Sequence, residues 1–189
     1  MVLVALLRHG DTAWSAAGRI QGRMDVPLSD AGRARLRAFR LPPACRGMRI
    51  VTSPLERCLE TAALIGAAQA VREPRLMEMS WGDWEGLRLA DLRAELGAAM
   101  AENEARGWDF RPAGGESPRE VLARVQSWLV ELSAPTLAVT HRGVIRAIFA
   151  AAAGWDLRGK PPLKLEWDAV HLFRLRADGV PAIEALNLR

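Results

Sequence analysis

The apolar positions of the chain open on Val2-Leu3-Val4-Ala5-Leu6-Leu7, a run with no polar alternation. A strand with one wet face alternates, so an unbroken run predicts a strand covered on both faces, central in its sheet. Met48 to Thr52 and Thr136 to Thr140 repeat the pattern in shorter form. Elsewhere the period lengthens. Ser29 precedes a segment with Leu36 and Phe39 on one helical face, and Val121, Val125, Trp128 and Leu132 recur at spacings of three and four. Two tetrapeptides, Ser53-Pro54-Leu55-Glu56 and Ser117-Pro118-Arg119-Glu120, place Ser, Pro and Glu where a capping box puts N-cap, N1 and N3. Both predict a helix start, the first helix running to about Ala67. Another helix is expected from about Gly143. Ala169 to Leu175 and Ala182 to Leu186 flank Ala177-Asp178-Gly179, which suits an antiparallel hairpin.

Strands and helices alternating in this order predict a three-layer α/β/α fold with a mostly parallel central sheet and an antiparallel edge strand. In such a sheet functional residues gather at the carboxyl ends of the strands. The 189 residues are enough for one domain, taken as 1–189, and hardly enough for two. Half the residues are hydrophobic and a quarter charged, which leaves no polar tract that would have to be disordered. The formal charge is +4 and the pI near 10.0, yet Lys and Arg never form a basic run. The excess therefore predicts an Arg-rich solvated surface and no nucleic-acid partner, with a share left to face an anionic substrate.

Cys45 and Cys58 lie in no Cys-x-x-Cys or Cys/His spacing, so reduced thiols and no metal site are expected. Arg8-His9 cuts the N-terminal apolar run far below membrane-spanning length, and it has no basic lead-in or cleavage site. Arg146 interrupts the other apolar stretch, Val144 to Ala153. A cytoplasmic location without a membrane partner is the expectation, with a homodimer left open.

Three charged or titratable groups follow strand ends independently: Arg8-His9, Arg57 and His141. If they converge, they suit a phosphate ester, whose charge calls for arginine forks and helix N-terminal amides such as those at Ser53-Pro54 and His141-Arg142. A neutral imidazole is a nucleophile toward phosphorus, and the leaving alkoxide needs a proton from a placed carboxylic acid.

The ordered segments Leu7-Arg8-His9-Gly10-Asp11-Thr12, Gly18-Arg19-Ile20-Gln21-Gly22, Pro27-Leu28-Ser29, Ser53 to Ala62, Glu78 through Gly82-Asp83-Trp84-Glu85-Gly86, and Val139 to Arg146 resemble the histidine phosphatase superfamily, the phosphoglycerate mutase-like proteins. The resemblance spans residues 7 to 146, and the combination is far more specific than Arg-His-Gly alone. It implies that His9 takes the phosphoryl group, Arg8 and Arg57 grip its oxygens, and His141 supports the transferring group. Glu78 is the matching acid and base, with Glu85 the competing carboxylate. Thr12, Ser15, Gln21, Gly22 and Arg142 follow as substrate contacts. No metal and no cofactor are implied; the substrate is a small-molecule phosphate ester and inorganic phosphate a product.

The chain departs from the family pattern at three places. Asp11 stands where Glu is frequent, Ser15 where mutases have Asn, and Arg142 where a small residue is usual. The Arg142 side chain either turns outward, leaving only its amide for phosphate, or adds a cation at the pocket rim. Only 63 positions separate Glu78 from His141, so the helical insert at about 87–116 makes a short lid compared with the mutases. That favours water as acceptor and a phosphomonoesterase, closest in pattern to small bacterial phosphatases such as the alpha-ribazole phosphatases. The alternatives are a phosphoglycerate mutase-type phosphotransferase and a non-catalytic phospho-ligand binding module.

Overall fold

A computed structural model describes residues 2–176 and 179–189. Its strands are β1 Val2–Arg8, β2 Arg49–Thr52, β3 Val71–Arg72, β4 Thr136–Thr140, β5 Val170–Leu175 and β6 Pro181–Leu188. Its α-helices are α1 Ala13–Ala16, α2 Asp30–Ala38, α3 Glu56–Leu64, α4 Leu89–Glu104, α5 Pro118–Leu129 and α6 Arg142–Ala153. The sheet order is β3-β2-β4-β1-β5-β6, with β1 inside. Pairing is parallel from β3 through β1 and antiparallel at β1–β5 and β5–β6. The antiparallel part is therefore two strands wide, because β5 pairs with β1 and its partner β6 takes the edge. The predicted turn at Ala177-Asp178 lies outside the described residues.

Both faces of β1 are buried, which is what its unbroken apolar run requires. Val4 and Leu6 join Ala138, Phe173 and the inner faces of α5 and α6 on one side. Ala5 and Leu7 join Leu137, Val139, Leu172, Cys58 and Ala62 on the other, where α3 packs. Each of those Val and Leu side chains contributes roughly 1.5–3 kcal/mol on burial, so the sheet ends are held on a rigid base.

Local rules hold in α5 and fail in α3. Ser117 accepts from the Glu120 N–H and Glu120 accepts from the Ser117 N–H, the predicted capping box. By contrast α3 starts at Glu56, its N-cap is Leu55 with no side-chain cap bond, and it ends at Leu64 rather than near Ala67. Phe39 sits just past α2 in extended conformation and packs on the α3 side of the sheet from outside the helix. The one-turn α1 and the two-residue β3 carry too little periodicity to be seen in sequence.

The insert is built on α4, which kinks at Gly97 (φ 48°, ψ −118°), a conformation costly for any residue with a Cβ. Leu92 and Met100 of α4 pack with Trp84 in a separate small apolar cluster that also takes Ile20, Trp81 and Phe110. Trp81, Trp84 and Phe110 meet with ring centroids 5.7–6.4 Å apart.

Candidate active site

The strand register brings the site together. Arg8 pairs with Thr140 and Thr52 with Val139, so the residues that follow, His9, His141 and Ser53, leave three parallel strands side by side. Backbone bonds carry the ladder into the loops: His9 N–H donates to Thr140 C=O (3.0 Å) and Ser53 N–H to Val139 C=O (2.9 Å). The His9 and His141 rings lie 5.2 Å apart, centroid to centroid.

His9 is buried, and its Nδ1 lies 2.7 Å from the Gly10 carbonyl. A carbonyl only accepts, so Nδ1 carries the proton and Nε2 keeps its lone pair. Burial, then Arg8 and Arg57, hold the His9 pKa well below 6.5. The ring is neutral at physiological pH and able to attack. The Gly10 N–H donates to Thr61 Oγ1 (3.0 Å), and Thr61 donates to the Arg57 carbonyl (2.6 Å), which ties the loop after β1 to α3.

His141 is the N-cap of α6, fully buried, with its pKa also held well below 6.5 by burial and then by His9 and Arg57. Its Nε2 shares a hydrogen bond with Ser53 Oγ (2.8 Å), and Cys58 Sγ lies 3.4 Å from the same nitrogen. The tetrapeptide pattern assigns Ser53 to the cap of α3; it orients this ring instead, and the helix starts at Glu56. Cys58 is a thiol with its pKa raised by burial, so it packs here as a neutral group.

Arg57 is completely buried, its terminal nitrogens donating to the carbonyls of Gly22 (2.7 Å) and Met24 (2.9 Å). Its Nε has no partner, nor has the buried Nε of Arg8. Buried donors are rarely left unpaired, because each costs about 1–3 kcal/mol. Among the described residues only His171 Nε2 shares this condition. Both orphan guanidinium N–H groups belong to the residues flanking His9 in sequence or in space.

Glu78 accepts from the Met79 N–H (2.8 Å) and from the Gly143 N–H (3.0 and 3.2 Å) in the first turn of α6. Burial raises its pKa above 4.5 even though these amides and Arg57 oppose the shift. The shift favours the protonated carboxyl, the form that can give a proton to a leaving oxygen. Gly143 is needed here, since a Cβ would collide with the carboxylate. Arg124 of α5 donates to the Met77 and Glu78 carbonyls (2.7 and 3.1 Å) and pairs with Glu116, which in turn accepts from Ser80 N–H. This clamp fixes the segment that carries Glu78.

Glu85 braces a neighbouring loop. Its oxygens accept from the N–H groups of Arg23 (2.9 Å), Met24 (2.8 Å) and Trp81 (3.2 Å), which holds the loop whose carbonyls grip Arg57. Gly22 adopts φ +55° in that loop, where a Cβ would strike Glu85. Thr12 Oγ1 donates to Gln21 Oε1 (2.9 Å) and accepts from Ser15 N–H, while Ser15 Oγ donates to the Thr12 carbonyl and accepts its N–H. The Ser15 hydroxyl is thereby occupied in capping α1. Arg142 is exposed, its guanidinium 4.7 Å from the Trp167 ring centroid. The contributions of Ser53, Thr61, Arg124 and Glu116 had no sequence signal that separated them from caps, helix faces and loop carboxylates.

Among the described residues no helix is long and apolar enough to cross a membrane, and no three His, Cys, Asp or Glu side chains are grouped as metal ligands. The sequence pattern of the histidine phosphatase superfamily (branch 1) matches residues 4–189. A glucosyl-3-phosphoglycerate phosphatase of Mycobacterium tuberculosis is 34% identical over 179 residues, covering 82% of this chain and 79% of its own. A 2,3-bisphosphoglycerate-dependent phosphoglycerate mutase of Methylobacterium radiotolerans is 31% identical over 197 residues, covering 93% and 91%. The solved structure of the mycobacterial glucosyl-3-phosphoglycerate phosphatase in complex with inorganic phosphate superposes with a TM-score of 0.77 at 29% identity, covering 99% of this chain and 97% of that one. With the pattern matched over nearly its whole length and the fold shared, this chain belongs to the histidine phosphatase superfamily and is an enzyme of phosphate-ester chemistry.

Proposed function

We propose that this protein is a phosphomonoesterase acting on small phosphorylated metabolites through a phosphohistidine at His9 Nε2. The observation that carries the reading is the pairing of a neutral His9, its Nε2 unprotonated, with the unpartnered Nε–H donors of Arg8 and Arg57. In the first half-reaction the Nε2 lone pair attacks phosphorus, the P–O ester bond breaks, and the Glu78 proton passes to the departing oxygen. Arg8, Arg57 and His141 stabilise the charge on the equatorial oxygens. In the second, Glu78 as carboxylate takes a proton from water, the hydroxide oxygen bonds to phosphorus, and the P–N bond breaks to return neutral His9 and inorganic phosphate. Thr12 holds the Gln21 amide oxygen, which leaves the NH₂ group to donate to a phosphoryl oxygen. Thr12 and Ser15 shape that loop, Gly22 anchors Arg57, and Arg142 stands at the rim.

A second reading, phosphoryl return to another hydroxyl, is favoured by the mutase relative, which matches this chain over 91% of its own length. Lid length alone therefore does not separate the two. The wild-type protein in excess chelator is expected to release phosphate from an aryl phosphate, and His9→Ala to lower the rate by about 10³-fold or more. Undiminished release in that variant would overturn the proposal. Phosphate migrating between the hydroxyls of phosphoglycerate faster than it is released would replace it with the mutase reading.

A further inference from the structure

Arg142 differs from many arginines of this chain. Arg8, Arg23, Arg33, Arg75 and Arg124, among others, lie within 4.0 Å of a carboxylate, whereas among the described residues Arg142 and Arg146 have no such partner. They stand four residues apart on α6, so they occupy one face a single turn apart. Each guanidinium lies over an indole, Arg142 4.7 Å from the Trp167 centroid and Arg146 5.2 Å from that of Trp155. Stacking covers the face of a guanidinium and leaves its edge N–H groups free for a planar anion.

The topology puts this pair beside the reaction centre. Arg142 directly follows His141, whose ring neighbours His9. Strand β5 runs antiparallel to β1 with Val170 opposite Leu7, so Trp167, just before β5, arrives at the end of the sheet from which Arg8 and His9 emerge. Arg142 depresses the Arg8 pKa and Arg146 is depressed by Arg142, after burial in each case, while Glu78 opposes the shift in both α6 arginines. A row of cations thus leads from the phosphoryl pocket along α6, balanced by Asp11 at Arg8 and by Glu78 beyond it.

We propose that Arg142 and Arg146 form a second anion subsite that selects phosphomonoesters bearing a carboxylate or a second phosphate a few bonds from the ester oxygen. The proposal rests on the phosphomonoesterase reading. Its rival is packing: the two stacks could merely fasten the segment 154–169 to α6. Packing and selection differ in which substrates suffer when the charge is removed.

The test is kcat/KM for two matched pairs, 3-phosphoglycerate against glycerol 3-phosphate and fructose 1,6-bisphosphate against fructose 6-phosphate, with an aryl phosphate as reference. Wild-type protein should prefer the substrate with the extra anion in at least one pair, and the pair that shows it tells carboxylate from phosphate. Arg142→Gln and Arg146→Gln, which keep a polar stem, should each cut that preference by about tenfold, mainly through KM, and Arg142→Lys should restore part of it. The preference should also shrink as salt rises. Equal losses on both members of a pair would mean packing alone and overturn the subsite. No wild-type preference, with aryl phosphate hydrolysis intact, would overturn the subsite and leave the phosphatase standing. Failure to hydrolyse any of them would remove the phosphatase reading and the subsite with it.

Discussion

The tetrapeptides Ser53-Pro54-Leu55-Glu56 and Ser117-Pro118-Arg119-Glu120 are alike in every feature that predicts a helix start, yet they fold differently. Ser117 makes the reciprocal capping box with Glu120 and begins α5. Ser53 shares its hydroxyl in a hydrogen bond with His141 Nε2, touches the Leu55 N–H only at 3.4 Å, and leaves α3 to begin at Glu56 without a side-chain cap. A cap is worth about 1 kcal/mol, whereas a buried imidazole nitrogen without a partner costs about 1–3 kcal/mol. At the end of β2 the second quantity wins, because Ser53 leaves the sheet beside His141. Local rules yield where the sheet concentrates polar groups, and a broken local rule there marks the functional end of the molecule.

Substitutions around the first motif should therefore act on chemistry and those around the second on stability. After the loss of His9, the largest effect is expected at Glu78: Glu78→Gln should lower kcat on alkyl phosphates by about 10²-fold or more and far less on aryl phosphates, whose leaving groups need no proton. The pH profile of kcat/KM carries the same signature. His9, with its pKa depressed below 6.5, must be neutral, so the rate falls on the acid side only well below that value. Glu78, with its pKa raised above 4.5, must be protonated, so the rate falls as pH rises through the raised value. The Gln variant should lose that alkaline limb.

Next in size, Ser53→Ala should reduce kcat by about tenfold by freeing the His141 ring, with Ser53→Thr recovering part of it. An unchanged kcat would return Ser53 to the status of a failed cap. Arg124→Met should move the alkaline limb as well as lower kcat several-fold, since it releases the carbonyls that fix Glu78. Smallest, Ser117→Ala should cost about 1 kcal/mol in chemical denaturation while kcat per folded molecule stays the same. A larger effect of Ser117→Ala on kcat than of Ser53→Ala would reverse the comparison.

Most of the fold was legible because the central strands are buried on both faces and so write continuous apolar runs. The wide antiparallel edge was only half visible, since a hairpin does not say which of its strands joins the sheet. In the site, His9, Arg8, Arg57, Glu78 and His141 stand in motifs whose order could be read. What sequence did not show is how they are held: Arg124 reads as a helix-face arginine and Glu85 as a rival acid. Only three dimensions put the first on the Glu78 carbonyl and the second under the loop that carries Gly22. Ser15, read as a phosphate contact, closes a cap with Thr12, a pattern too short to register as a helix.

The central claim is covalent, and trapping the intermediate tests it most directly. Wild-type and Glu78→Gln proteins, mixed with a radiolabelled phosphate ester and quenched in alkali within milliseconds, should carry acid-labile, alkali-stable label on residue 9. The Gln variant should hold the label longer, and His9→Ala should hold none. Label on a serine or carboxylate, or undiminished turnover by His9→Ala, would contradict the account.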